Sequence, residues 1–205
     1  MTMTTRWLAA DPQVERVQLD DRSWVDVVRG LVPQGQRVHD DLVRTARWRT
    51  GRVYKYERWV DDVRQSATPS GPRRHPALVE VEQWMVRRYR VRLSGVVLSQ
   101  YRHAREGLGF HRLSLGAQPP WLMLPTPGRP EIDDDDAYRD AIDLDPGNGD
   151  LIVMGGRCQR DWLHAVPPLV TPVGSRISAQ WRWTSRRGEP DTDPTSRDPR
   201  FYSRA

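Results

Sequence analysis

Arg176-Ile177-Ser178-Ala179-Gln180-Trp181-Arg182 is the stretch that decides how the chain folds. Polar and apolar residues alternate along it, which is the period of a β-strand. Arg176, Ser178, Gln180 and Arg182 therefore share one face, while Ile177 and Trp181 point into the other layer. Two arginines on one face either look out to water or lie inside against an anion, because a buried guanidinium is costly without one. A small dicarboxylate held by forked hydrogen bonds suits the inward alternative. The pattern by itself leaves both open.

Upstream of this strand, short β-rich runs follow one another at 93–101, 120–124, 150–154 and 163–166, separated by Gly, Pro and Asp. That spacing predicts an antiparallel sandwich or barrel rather than βαβ units. The first third reads as helical with an inserted strand. Asp20 or Asp21 is placed to cap a helix carrying Trp24, Val27, Val28 and Leu31, ended by Pro33 and Gly35. A second helix is predicted over 37–47 and a third over 77–89, with Leu78, Val81, Trp84 and Met85 on one face. Between them, 51–60 reads as a strand and 66–76 as a loop broken by prolines. The division expected is an N-terminal extension over 1–20, a helical and lid region over 21–92, a β core over 93–184 and a polar tail over 185–205. The run Asp133-Asp134-Asp135-Asp136 reads as a solvated acidic loop.

The chain has 205 residues, the size of one ordinary domain, with 32 Lys+Arg against 27 Asp+Glu, a formal charge of +5. All the basic residues except Lys55 are arginine, whose planar fork suits phosphates and carboxylates, so nucleic acid or another polyanion is an expected partner. Cys158 is the only cysteine, which excludes an intrachain disulfide and a Cys-rich zinc site and fits a reducing cytoplasm. Its expected role is that of a small buried hydrophobe. No apolar run approaches the ~18 residues that cross a bilayer, and the first residues do not read as a signal peptide. No membrane partner is expected.

Of the five histidines, His39 lies in a polar helix and His75 beside prolines, both reading as surface residues. His111 and His164 lie on or beside predicted strands, where antiparallel pairing brings distant residues together. The segment Gly149-Asp150-Leu151-Ile152-Val153-Met154-Gly155-Gly156-Arg157, continuing through Asp161-Trp162-Leu163-His164-Ala165-Val166-Pro167 to Arg176-Ile177-Ser178 and Arg182, closely resembles the second half of AlkB-type iron(II) and 2-oxoglutarate-dependent dioxygenases. Ser99-Gln100-Tyr101 and Gly109-Phe110-His111 resemble that family's Asn-x-Tyr strand and the His of its His-x-Asp motif. Val53-Tyr54-Lys55-Tyr56-Glu57-Arg58-Trp59 looks like its substrate lid, more loosely.

The resemblance implies an α+β protein: a double-stranded β-helix, or jelly roll, with N-terminal helices packed on one sheet. It implies His111 and His164 as iron ligands of a two-His-one-carboxylate triad. Arg176 would bind the distal carboxylate of 2-oxoglutarate, Tyr101 would hydrogen-bond it, and Ser178 and Arg182 would lie along the same face. Tyr54 and Tyr56, with Arg52, would contact nucleic acid. The chemistry implied is oxidative dealkylation of an N-alkylated base, flipped from its stack to reach the iron, as in DNA repair. Trp162 and Trp181 are expected in the core. Rival readings are a non-catalytic nucleic-acid-binding or structural relative, and a hydroxylase of a small molecule or protein on the same fold.

The sequence departs from the family at the third ligand. His111-Arg112 runs directly into Leu113-Ser114-Leu115-Gly116, where the family carries His-x-Asp and, a strand or two later, a Ser-Leu-Gly segment. Three alternatives stand: a silent member, recruitment of Asp161 or Glu106, or a segment omitted between Arg112 and Leu113, which would leave an open sheet edge. Ser99 also stands where Asn is usual.

Overall fold

Valine content, not helical spacing, governs residues 23–28. Trp24, Val25, Val27 and Val28 form strand β2 (Ser23–Val28), which pairs antiparallel with β1 (Glu15–Asp20). The helix expected here is absent for a physical reason: β2 is buried on both faces, so its apolar residues show no period of two, and β-branched side chains favour the strand. Asp20 serves the hairpin instead of a helix, its carboxylate accepting the Arg22 backbone N–H at 2.7 Å. The computed structural model describes residues 6–55, 57–102, 112–117, 120–125, 141–166 and 174–183. Tyr56, Glu106, His111, the Asp133 to Asp136 run and the tail beyond 183 lie outside the described residues.

Helix α1 (Gly35–Thr45) and helix α2 (Pro76–Tyr89) fall where the periodicity places them, within about two residues. The strand expected over 51–60 is a hairpin, β3 (Arg49–Lys55) with β4 (Arg58–Ala67), reversed at a turn where Glu57 takes φ 61°. The chain continues through β5 (Val97–Tyr101), β6 (Arg112–Gly116), β7 (Leu122–Pro125), β8 (Ile142–Asp143), β9 (Leu151–Gly156), a short helix α3 (Cys158–Asp161), β10 (Trp162–Ala165) and β11 (Arg176–Gln180).

The result is a mixed α+β architecture with antiparallel pairing throughout the described strands. One sheet has the order β1-β2-β9-β6-β11-β5-β4-β3 and a smaller one the order β10-β7-β8. Three pairings nest around the β7–β8 hairpin: β7 with β8, β6 with β9, and β5 with β11.

The alternation of β11 sorts the molecule into two cores. Ile177, Ala179 and Trp181 pack with Leu98 and Leu115 against Val38 and Leu42 of α1 and Leu78, Val81 and Met85 of α2. On the opposite face of the large sheet, Val25, Val27, Ile152 and Met154 meet Met123 of the small sheet and Trp121 and Leu144, which flank its strands, with Cys158 beside them. Each fully buried large side chain contributes roughly 1.5–3 kcal/mol. Among the described residues, no helix is long and apolar enough to cross a membrane.

Candidate functional site

Register locates the polar face of β11. Gln180 lies opposite Arg112, and Arg112 opposite Ile152, so Arg176, Ser178 and Gln180 share the face that Ile152 turns toward the small sheet. Of the two alternatives the alternation left open, the inward one holds: Arg176 is 4% exposed, Ser178 1% and Gln180 9%. Ser99 and Tyr101 of β5 stand directly across from Ser178 and Arg176, and Ser114 of β6 flanks Ser178 on the other side. All three are buried. The Gln180 amide donates to the Ser178 hydroxyl at 3.1 Å.

Arg176 and Tyr101 form the centre of this polar patch. The guanidinium carbon lies 4.0 Å from the Tyr101 ring centroid, and the two residues pair across adjacent strands. The contact holds the Arg176 guanidinium against the Tyr101 ring. Arg64 of β4 adds a second cation. The pairing of Ser66 with Ser99 sets Arg64 beside Tyr101, to which its side chain donates a hydrogen bond. Asp62 holds Arg64 through Nε at 3.0 Å. Burial works against the Arg64 charge, but the hydrogen bonds to Asp62 and Tyr101 outweigh it and raise its pKa above the ordinary arginine value. Sequence reading missed Arg64 because the β3–β4 ladder shifts register between Thr50 and Arg52, which hides the alternation of β4.

His164 lies on β10 opposite Met123, a residue of the core between the sheets. Its half-buried ring sits 5.7 Å from the Trp121 ring, centroid to centroid. The topology thus turns His164 and the Arg176 face toward the same inter-sheet space. Arg182 lies two residues past the end of β11, where its backbone pairs with Ser94, and its side chain is half-buried. Arg52 is exposed on β3, the outer edge of the large sheet, and Tyr54 lies on that strand opposite Trp59.

Asp161 is committed elsewhere, accepting from Arg157 Nε at 2.7 Å and Nη2 at 3.3 Å. Among the described residues, no three His, Cys, Asp or Glu side chains converge as a metal site. Of the two nitrogen ligands expected, only His164 is among the described residues. Strand β6 runs unbroken through Arg112 and Leu113 and is paired with β9 and β11 on its two sides. Among the described strands, β6 is not an edge; β1 and β3 border the large sheet, and β10 and β8 the small one.

Two histidines read as surface residues are not. His39 is 7% exposed and bridges the Asp40 carboxylate at 2.9 Å and the Ser175 hydroxyl at 3.4 Å, tying α1 to the start of β11. His75 caps α2 by accepting the Ala77 N–H at 3.1 Å, and burial lowers its pKa despite the nearby Asp41. Asp150 is structural too, its carboxylate taking the N–H groups of Gly30 and Gly147 and the Arg29 guanidinium. Burial pushes the Cys158 thiol up to about 12, in keeping with the inert hydrophobe expected.

No protein-family model matches the chain, and no curated protein matches it.

Proposed function

We propose that the chain is a double-stranded β-helix protein of the AlkB type that binds 2-oxoglutarate between its sheets and acts on nucleic acid carrying N-alkylated bases. The observation that carries this reading is the buried Arg176 stacked on Tyr101, with Ser178, Ser99 and Ser114 on the same inward face. A dicarboxylate there receives forked hydrogen bonds from a guanidinium already oriented by the ring, and a hydroxyl from Tyr101. The nested pairings support the fold: a jelly roll is a long hairpin coiled on itself, whose first strand pairs with its last. Here β7–β8 form the tip, β6–β9 the next rung and β5–β11 the outermost.

Iron(II) would supply the oxidising chemistry of such a protein, with His164 and His111 as its nitrogen ligands. Asp161, one of the two carboxylates weighed for the third position, is held by Arg157, and the other, Glu106, lies outside the described residues. The engagement of Asp161 by Arg157 favours a second reading, a non-catalytic relative that keeps the dicarboxylate and nucleic-acid sites. Succinate release from 2-oxoglutarate, with iron(II), O₂ and a methylated oligonucleotide, separates the two. Stoichiometric succinate and formaldehyde support dealkylation. Calorimetric binding of 2-oxoglutarate without turnover supports the non-catalytic relative, and no binding of 2-oxoglutarate in either assay overturns both.

A further inference from the structure

Helix α2 ends in a concentration of positive charge: Arg87, Arg88, Arg90 and Arg92 fall within the segment 87–92. Arg87, Arg88 and Arg90 are exposed, and among the described residues none of the three makes an ion pair. The nearby acids are occupied. Glu80 accepts the Trp7 backbone N–H, Glu82 takes Arg74 and the Trp181 indole, and Asp26 is held by Arg16 and the Tyr89 hydroxyl.

An aromatic floor lies beside these arginines. Tyr89 stacks on Trp24 at 6.2 Å and meets the edge of Trp84 at 6.1 Å, and the Arg88 guanidinium lies 6.0 Å from the Tyr89 ring. Trp24 is closed off by the Arg16 guanidinium at 3.8 Å and by Gly155, against which its ring lies flat. Trp84 and Tyr89 keep part of their surface exposed. Arg90 itself sits at φ 51°, ψ 38°, the left-handed conformation that ends helices and that glycine adopts without strain. An arginine in that position costs backbone energy, and its exposed side chain makes no ion pair among the described residues.

We propose that this arginine cluster, with Trp84 and Tyr89 at its rim, is a docking surface for the phosphate backbone of single-stranded nucleic acid. It lies on the helix-bearing face of the large sheet, opposite the inter-sheet face, and is a site separate from the 2-oxoglutarate pocket. Unscreened guanidiniums match a chain of phosphates, and half-exposed rings tolerate any base. The choice of nucleic acid as the polyanion rests on the functional reading above.

The test is fluorescence anisotropy of a fluorescein-labelled oligothymidylate with the full chain across a salt series. Replacing Arg87, Arg88 and Arg90 together by Glu is expected to cost at least about tenfold in affinity and to flatten the log–log salt dependence by about 2, from three phosphate contacts. Arg90→Gly removes one contact while relieving the helix end, so it is expected to melt no lower than the parent and to flatten the slope by about 0.7. Unchanged affinity and slope in Arg90→Gly and in the triple variant overturn the proposal. So does binding to phosphatidylserine vesicles with none to the oligonucleotide, which would assign the patch to a membrane. Arg176→Ala serves as the separating arm: 2-oxoglutarate binding lost with oligonucleotide binding intact leaves both sites standing. A parent chain that binds 2-oxoglutarate but no oligonucleotide sinks the patch alone, and the converse sinks the pocket alone.

Discussion

The two faces of the large sheet are built from the same strands and do opposite things. On the helix side, Ile177, Ala179 and Trp181 are buried among aliphatic residues of α1 and α2. On the small-sheet side, their immediate neighbours Arg176, Ser178 and Gln180 are equally buried but polar. Hydrophobic burial accounts for the first face, because apolar area removed from water is the main favourable term in folding. It does not account for the second, where an apolar set of similar volume is often as stable or more so. The difference shows that β11 buries an apolar face on one side and a polar face on the other, and the proposed 2-oxoglutarate site assigns the polar one to binding.

Substitutions on the two faces sharpen that contrast. Ile177→Ala is expected to lose about 2–5 kcal/mol of stability in urea unfolding, through lost transfer energy and a cavity against α2, with the 2-oxoglutarate affinity of the folded protein unchanged. Arg176→Met is expected to do the reverse: about 3 kcal/mol or more of 2-oxoglutarate binding lost by calorimetry, with a melting temperature unchanged or raised. If Arg176→Met unfolds the chain and leaves affinity intact, the division of faces is wrong.

The helix side also carries a pH dependence. The native His75 pKa is lowered by burial, so the unfolded chain binds more protons than the folded one near and below the ordinary histidine value of about 6.5. Stability is therefore full above that value and falls as pH drops through it, as protonation removes the acceptor that caps α2. His75→Asn supplies a capping oxygen that does not titrate and is expected to flatten this acid slope in melting curves; His75→Ala is expected to cost about 1 kcal/mol above about pH 7, where the His75 cap is intact. The smallest effect belongs to Cys158: with its thiol held up at about 12, iodoacetamide is expected to label it only after unfolding.

Much of the C-terminal half was legible in the sequence because its strands border mixed environments. The alternation along 176–180 sorted the residues of β11 into its two faces without saying where the polar one looks, and β5, β7, β9 and β10 fall inside or beside the runs expected. The N-terminal third was less so. The valines of β2 are buried on both sides and offer no period, and β1 is a largely exposed partner with too few apolar residues to announce itself. The β3–β4 turn uses Glu57 at positive φ where glycine or asparagine would have signalled a hairpin. In the buried polar patch, the common face of Arg176 and Ser178 was legible from alternation, and Tyr101 was singled out by motif. Arg64 was not, because it lies in an irregular strand and becomes significant only through the long-range pairing that sets it beside Tyr101.

A crystal structure of the full chain grown with 2-oxoglutarate tests the central claim most directly. The account predicts the cosubstrate between the two sheets, one carboxylate within hydrogen-bond distance of the Arg176 guanidinium and the Tyr101 hydroxyl. A well-ordered structure in which the Arg176 face is closed against protein, with 2-oxoglutarate elsewhere or absent at saturating concentration, would contradict it.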